Sequence, residues 1–147
     1  MSDPSVKLTQ TDGTTPVTTE VDKSKFSNGK ATETVKVTYT KDSKTYTTTY
    51  DITISDKVTG IAITTDPTKE FEHGANFGVG NGKITVNYAV AASQVIPMTD
   101  NGVGITQADD SEINMSPTTY DANHQYTEHL KVEYMGETAT YDITITN

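Results

Sequence analysis

The sequence predicts an all-β fold, an antiparallel β-sandwich of short strands, on three observations. Apolar and polar residues alternate with period two along several segments, which is the pattern of a strand with one buried and one solvated face. Gly, Pro, Asn and Asp cluster between these segments, where tight turns need them. No segment of the 147 residues shows a sustained helical period, and 29 of them are Thr, which suits the solvated face of a sheet.

The chain also contains an internal repeat. Residues 32–39 return as 127–134, and the run YDITI at 50–54 returns identically at 141–145. Further upstream, the short segment that begins at Val6 returns more loosely from Val103. The copies lie 91 to 97 residues apart, which is the length of a domain and well beyond one unit of a solenoid. The repeat therefore predicts two copies of one module, an organisation that favours length or valency over a single catalytic pocket.

The closing strands of each copy follow from the alternation. Two strands at 34–39 and 45–54 in the first copy correspond to two strands at 129–134 and 138–145 in the second. A short loop joins each pair, which predicts a hairpin in both copies. The predicted inner rows, including that of the strand at 84–90, are Val35/Val37/Tyr39, Tyr46/Tyr50/Ile52/Ile54, Ile84/Val86/Tyr88, Leu130/Val132/Tyr134 and Tyr141/Ile143/Ile145.

The two copies are not equally complete. Residues 57–147 contain about seven predicted strands, whereas residues 1–56 match only the back half of that set. The sequence thus predicts a partial module at 1–56 and a complete module at 57–147. Half a sandwich leaves one apolar sheet face and its edges uncovered. We therefore expect 1–56 to be completed by upstream sequence, by the second module, or by another copy through self-association.

Two motifs of the second copy resemble those of bacterial immunoglobulin-like domains. The segment 58–69, VTGIAITTDPTK, followed by Phe71 and Gly74, is similar to their opening strands, and YMGETATYDITI at 134–145 is similar to their closing hairpin. The resemblance covers most of 57–147 and, through the repeat, 1–56, but it leaves 89–114 unmatched. It implies tandem immunoglobulin-like sandwiches that serve as spacers or adhesive units of secreted, cell-wall or phage-tail proteins and carry no catalytic residues.

Composition excludes several classes of function. The net charge is −9 and all 11 cationic residues are Lys, so the chain would repel nucleic acid and anionic membranes. Without Cys, it can form neither a disulfide nor a thiolate metal site. No apolar stretch approaches the roughly 20 residues that span a bilayer. The N-terminus does not resemble a signal peptide, and we interpret the chain as a segment of a longer exported protein rather than as a cytosolic one.

Two motifs invite a chemical interpretation, and each has a plainer one. The glycine-rich segment 78–83 suggests a phosphate loop, but Phe77 and Ile84 stand where that motif needs Gly and Ser or Thr. We interpret it as a connection into the strand at Ile84. The acidic cluster at 109–112 offers oxygen ligands for calcium, but it lacks the spacing and central Gly of an EF-hand loop. We expect an ordinary solvated loop there.

The remaining candidates carry no predicted site. His73, His124 and His129 have no metal-ligand spacing on one face, and no Ser has a nucleophile context. Some modules of the resembled family crosslink Lys to Asn, but alternation places Lys131 and Asn147 on opposite faces. We expect Lys131 to form a surface pair with Asp142, which is worth little. The sequence predicts no catalytic, cofactor-binding or metal-binding residue.

The sequence therefore predicts a non-catalytic extracellular spacer or adhesion module of a bacterial surface protein, with a phage virion as the alternative location. Its expected partners are neighbouring immunoglobulin-like modules. The alternative function is a binding module that holds a glycan or a host protein with the loops at 71–83 and 99–114. Neither function requires a metal or a cofactor.

Overall fold

The computed structural model describes residues 5–147, and within that range it is all-β. The predicted fold class, all-β with antiparallel sheets, is confirmed, and the described residues contain no α-helix. One 3-10 helix lies at Lys23–Lys25. The strands are β1 (Ser5–Thr9), β2 (Lys30–Lys41), β3 (Lys44–Ser55), β4 (Val58–Thr65), β5 (Glu70–Glu72), β6 (Lys83–Tyr88), β7 (Gln94–Pro97), β8 (Val103–Gln107), β9 (Gln125–Tyr134) and β10 (Glu137–Thr146).

The chain divides into two compact units. Unit 1 extends up to Lys57 and includes Val90–Ala92, and unit 2 comprises Val58–Ala89 and Ser93–Asn147. Within unit 1, the Asp56 carboxylate accepts hydrogen bonds from the backbone N–H groups of Val90 (2.8 Å) and Ala91 (2.6 Å). These bonds, that of Ala91 foremost, lower the pKa of Asp56 because they stabilise its ionised form.

Unit 1 contains one antiparallel sheet in the order β1-β2-β3. The predicted hairpin joins β2 to β3 through a tight turn in which Asp42 and Ser43 adopt positive φ angles of 49° and 62°. In register, Leu8 lies opposite Val37, and Val35 lies opposite Tyr50. Because directly opposed residues share a face, the alternating apolar residues of all three strands line the same side of this sheet.

Unit 2 contains two sheets around one hydrophobic core. One has the order β5-β10-β9-β8 and the other the order β4-β6-β7. All pairs are antiparallel except β5 and β10, which run parallel with Phe71 opposite Ile145. The opening segment therefore supplies a strand to each sheet. The buried core includes residues of both sheets, namely Val58, Ile84, Val86, Ile96, Leu130, Val132, Tyr141, Ile143 and Ile145, so the two sheets face each other as in a β-sandwich.

The predicted inner rows hold in unit 2. Ile84 and Val86 of β6, Leu130 and Val132 of β9, and all three predicted residues of β10 are buried. Tyr88 and Tyr134 are half-buried and pack against the same core. Alternation alone was sufficient here because a second sheet covers the inner face of each strand pair.

The predicted inner rows are wrong in part for unit 1. Val35 is buried, but Val37 and Tyr39 are only half-buried, and Tyr46 and Tyr50 are exposed by 59% and 47%. The physical reason is that the described part of unit 1 contains a single sheet. Alternation identifies the apolar face of a strand, but only a second layer buries it.

The sheet of unit 1 has the same strand order and register as part of unit 2. The pair Leu8 and Val37 corresponds through the sequence repeat to the pair Ile105 and Val132, which also lie opposite each other. In the same way, Val35 opposite Tyr50 corresponds to Leu130 opposite Tyr141. Strands β1-β2-β3 thus repeat the arrangement of β8-β9-β10 residue by residue.

Truncation of Ile143 tests this core. Ile143→Ala is expected to lower the free energy of unfolding by roughly 2–5 kcal/mol, because it leaves a cavity at a fully buried position. Thr140→Ala, on the exposed face of the same strand, is the matched control and should change it by less than about 0.5 kcal/mol. Denaturant unfolding measures both. A loss near zero for Ile143→Ala would show that the register of β10 is wrong.

The two-unit division predicts different behaviour for two fragments. Residues 57–147 carry both sheets of unit 2 and should melt alone as one cooperative, reversible transition. The described part of residues 1–56 carries a single sheet, so this fragment should be disordered or self-associated. Size-exclusion chromatography and NMR dispersion distinguish these states. A well-folded monomer of 1–56 would contradict the interpretation of that segment as a partial module.

Candidate functional site

The two loops predicted to bind a ligand differ in structure. Segment 71–83 begins within β5 and ends at the first residue of β6, and most of it is loop. Segment 99–114 is not one loop, because β8 crosses it and pairs with β9. Only the parts that flank β8 remain available as loops.

An open groove lies at the start of the first loop. It has a volume of about 760 Å³ and is lined by Glu70, Phe71, Glu72, His73, Thr146 and Asn147. The His73 side chain contacts the Tyr120 hydroxyl through Nδ1, and its backbone N–H donates to Thr146 O at 2.9 Å. On the core side, Phe71 packs against Phe77 with ring centroids 5.8 Å apart. The groove thus presents two carboxylates and an imidazole, on a backbone segment that is held in place by these contacts.

The glycine-rich segment has a structural role. It leads into a strand and not a helix, as the plainer interpretation predicted. The Gly82 N–H donates to Val79 O, and Gly82 O accepts from Met98 N–H at 2.9 Å. A Cβ added at Gly82 would lie 2.7 Å from Met98 Sδ and 2.9 Å from Pro67 Cβ. The glycine is therefore required by close packing at this turn.

Residues of the acidic cluster at 109–112 form hydrogen bonds with one another within their own loop. Asp109 Oδ1 accepts hydrogen bonds from the hydroxyl (2.5 Å) and the backbone N–H (3.0 Å) of Ser111. These bonds, the hydroxyl first, lower the pKa of Asp109. Within residues 5–147, no group of three or more His, Cys, Asp or Glu side chains could hold a metal ion. The same range contains no helix with the length and apolarity to cross a membrane.

The predicted surface pair of Lys131 and Asp142 is wrong. Lys131 pairs with Asp110, and Asp142 Oδ1 lies 2.7 Å from His129 Nδ1. The register explains the difference, because Asp142 is directly opposite His129 while Lys131 is opposite Thr140. His129 lies on the solvated face, as alternation predicted.

Glu128 of β9 is a buried carboxyl group that the sequence patterns did not predict. Glu128 is 3% exposed, and its Oε2 atom has no hydrogen-bond partner among the described residues. It lies directly opposite Ile143 and in the same row as Leu130. The signal was present, since Glu128 has the parity of the predicted inner row of β9. A carboxyl group in a row of aliphatic side chains is the exception in a sheet core.

Burial perturbs the chemistry of Glu128. Desolvation raises its pKa, because the charged form is disfavoured away from water, and the nearby Tyr126 hydroxyl partly opposes this shift. The charge of Glu128 in turn raises the pKa of Tyr126. A shallow groove of about 230 Å³, lined in part by Gln107, Tyr126 and Glu128, opens beside the carboxyl group. Burial also raises the pKa of Tyr141 to about 12.

The counterpart of Glu128 in unit 1 has a different environment. This residue, Glu33, forms an ion pair with Lys25 at 3.1 Å. Glu128 forms no ion pair among the described residues. A lone buried carboxyl of this kind can hold a proton, and it couples the stability of unit 2 to pH.

No model of a protein family matches the chain, and a search of curated proteins finds no significant match. Functional inference therefore depends on the geometry of the two units and on the motifs of the sequence.

Replacement of Glu128 tests its protonation. Its folded pKa lies above the ordinary value of 4.5, so the stability contributed by the neutral carboxyl is full below about pH 4.5 and is lost as pH rises through the folded pKa. Glu128→Gln removes that loss and should raise the free energy of unfolding by about 1–3 kcal/mol at pH 7. The difference should shrink towards zero at pH 4.

Denaturant unfolding at both pH values measures this effect. Glu133→Gln is the matched control, because Glu133 is exposed on the same strand, and it should change stability little at either pH. Destabilisation by Glu128→Gln that is larger at pH 7 than at pH 4 would show that the carboxyl is ionised and stabilising in the folded state.

Proposed function

We propose that the chain is a non-catalytic part of an extracellular protein of a bacterium or phage, in which tandem immunoglobulin-like modules act as a spacer or adhesion unit. The observation that carries this proposal is the repeated strand arrangement. Strands β1-β2-β3 and β8-β9-β10 have the same order and equivalent opposed pairs. Reuse of one strand arrangement along a chain is typical of proteins built from modules.

The topology of unit 2 supports an immunoglobulin-like module. Such sandwiches place strands C, F and G in one sheet and A and B in the other. Strands β8-β9-β10 take the first set of positions, and β4-β6 take the second. The motif at 58–69 contains β4, and the closing motif contains β10 and the end of β9. One strand departs from this scheme, because β7 follows β6 within its own sheet instead of crossing to the other.

The expected partners follow from this proposal. A spacer module is joined to neighbouring modules of the same kind, and its role requires only that each sandwich remains folded under load. The buried rows of β6, β9 and β10 supply the cohesion that such a role needs. The net charge of −9 and the absence of Arg disfavour nucleic acid as a partner, and we assign no membrane insertion.

The groove beside β5 favours the alternative of a binding module for a glycan or a host protein. Its volume of about 760 Å³ falls within the range of ligand sites, and its lining combines carboxylates, an imidazole and the edge of an aromatic ring. His73 and Phe71 belong to the predicted binding loop at 71–83. In this alternative, the β-sandwich of unit 2 would serve as the scaffold that presents the binding loop.

Two measurements on the intact chain separate these functions. In the first, one or two copies are placed between a bead surface and a fluorescent reporter, and the distance from surface to reporter is measured. A spacer should add a constant increment for each copy, and Ile143→Ala should broaden the distribution of distances under mild denaturant, because an unfolded chain has no fixed length. A distance that does not grow with copy number would contradict the spacer function.

In the second measurement, the chain is screened against glycans and host extracellular proteins. The spacer function predicts no saturable binding. A saturable signal that is abolished by Glu72→Ala or His73→Ala, but is unaffected by Thr138→Ala on the exposed face of β10, would replace the spacer with a binding module.

A further inference from the structure

One apolar sheet surface remains uncovered in unit 1. The side chains that form it, termed here the open face, are those of Val6, Leu8, Val37, Tyr39, Tyr46 and Tyr50. The first two are exposed by 67% and 51%, and the last two by 59% and 47%. They belong to one side of the sheet, since Val6 lies opposite Tyr39, which lies opposite Tyr46.

The equivalent surface in unit 2 is covered. Tyr50 and Tyr141 occupy the same position of the repeat and the same register, yet Tyr141 is only 8% exposed. Val103, Ile105 and Tyr134, the counterparts of Val6, Leu8 and Tyr39, pack against the core that the two sheets of unit 2 share. A surface of this pattern is thus the inner face of a sandwich, and in unit 2 a second sheet covers it.

The other side of the sheet in unit 1 has the composition of a solvated surface. Lys7, Thr38 and Thr47 are opposed neighbours there, and Lys36 lies opposite Thr49. The open face contrasts with it because its six side chains are aliphatic or aromatic, although Glu33 lies on the same side of β2 towards its other end. Tyr39 and Tyr46, with ring centroids 6.4 Å apart, also flank a hollow of about 170 Å³ on this surface. Contiguous exposed apolar surface of this kind marks an interaction site.

We propose that the open face binds the open face of a second copy of this chain, packed sheet on sheet about a two-fold axis. The apolar surfaces of both sheets of unit 2 are committed to the core of that unit, where Ile84 and Ile143 are fully buried. In a second copy, the open face is therefore the apolar sheet surface that is free to pair. A two-fold axis pairs the open face with its own copy, so the six apolar and aromatic side chains of one chain meet those of the other. Glu33, on the same side of the sheet, is neutralised by its ion pair with Lys25.

The size of the open face sets the expected strength. Three strands about 4.8 Å apart, over roughly six residues of about 3.3 Å each, bury a few hundred Å² per copy. Such an interface falls below about 1,200 Å² in total and belongs to the weak class. We therefore expect a monomer–dimer equilibrium with a dissociation constant in or above the micromolar range. This inference does not depend on the spacer function.

Sedimentation equilibrium of the intact chain tests the proposal. The average mass should rise from that of one chain towards that of two as concentration increases to about 1 mM. Tyr46→Lys places two like charges in the interface and should weaken dimerisation at least tenfold. The matched control is Thr49→Lys, which adds the same charge on the opposite side of β3 and should change the dissociation constant less than twofold. Tyr46→Thr, which removes the ring but keeps a strand-forming residue, should also weaken dimerisation.

Three outcomes would overturn this inference. A single-chain mass throughout the concentration range would show that the open face does not bind a second copy. Equal weakening by Tyr46→Lys and Thr49→Lys would show that charge, and not this surface, governs association. Dimerisation that survives both Tyr46 variants would place the interface elsewhere, for example at the edge of β3. Circular dichroism of each variant establishes that the sheet is retained.

Discussion

The packing of the β9–β10 hairpin beneath the sheet β4-β6-β7 is the interaction on which unit 2 depends. Leu130, Val132, Ile143 and Ile145 project from the hairpin, and all four are fully buried against residues that include Ile84 of the opposing sheet. Each such side chain contributes about 1.5–3 kcal/mol relative to an exposed one. Without disulfides or α-helices in the described chain, this contact holds the two sheets together.

The same hairpin in unit 1 shows what happens when that contact is missing. The local sequence forms the same strands, turn and register, because these depend on alternation and on turn residues. Burial does not follow, because burial requires a second layer. Tyr50 and Tyr141 lie in the same YDITI run and oppose equivalent residues, Val35 and Leu130, but Tyr141 also faces a second sheet and is buried.

Glu128 is a position where alternation and side-chain charge predict different environments. Its position in the alternating row predicts burial, whereas the cost of desolvating a carboxylate predicts exposure. Alternation alone does not show which of these two effects is larger. In the folded unit, the surrounding aliphatic packing outweighs the desolvation of one carboxyl, whose pKa rises as a result. The equivalent residue of the first copy differs, because Glu33 forms an ion pair with Lys25. Unit 2 accepts one such group within a core whose other buried side chains are apolar or aromatic.

The sequence by itself determined the two hairpins with their strands, the strand β6, the repeat and the β-class of this protein, because alternation and turn chemistry act over a few residues. It also located the buried rows of unit 2. Only the tertiary structure decided which apolar face is covered and which residues pair with Asp142 and Lys131. It also decided that the segment 99–114 contains the strand β8 and is not a single loop. These outcomes depend on which strands become neighbours. That is a property of contacts between residues far apart in the chain, and no local pattern encodes it.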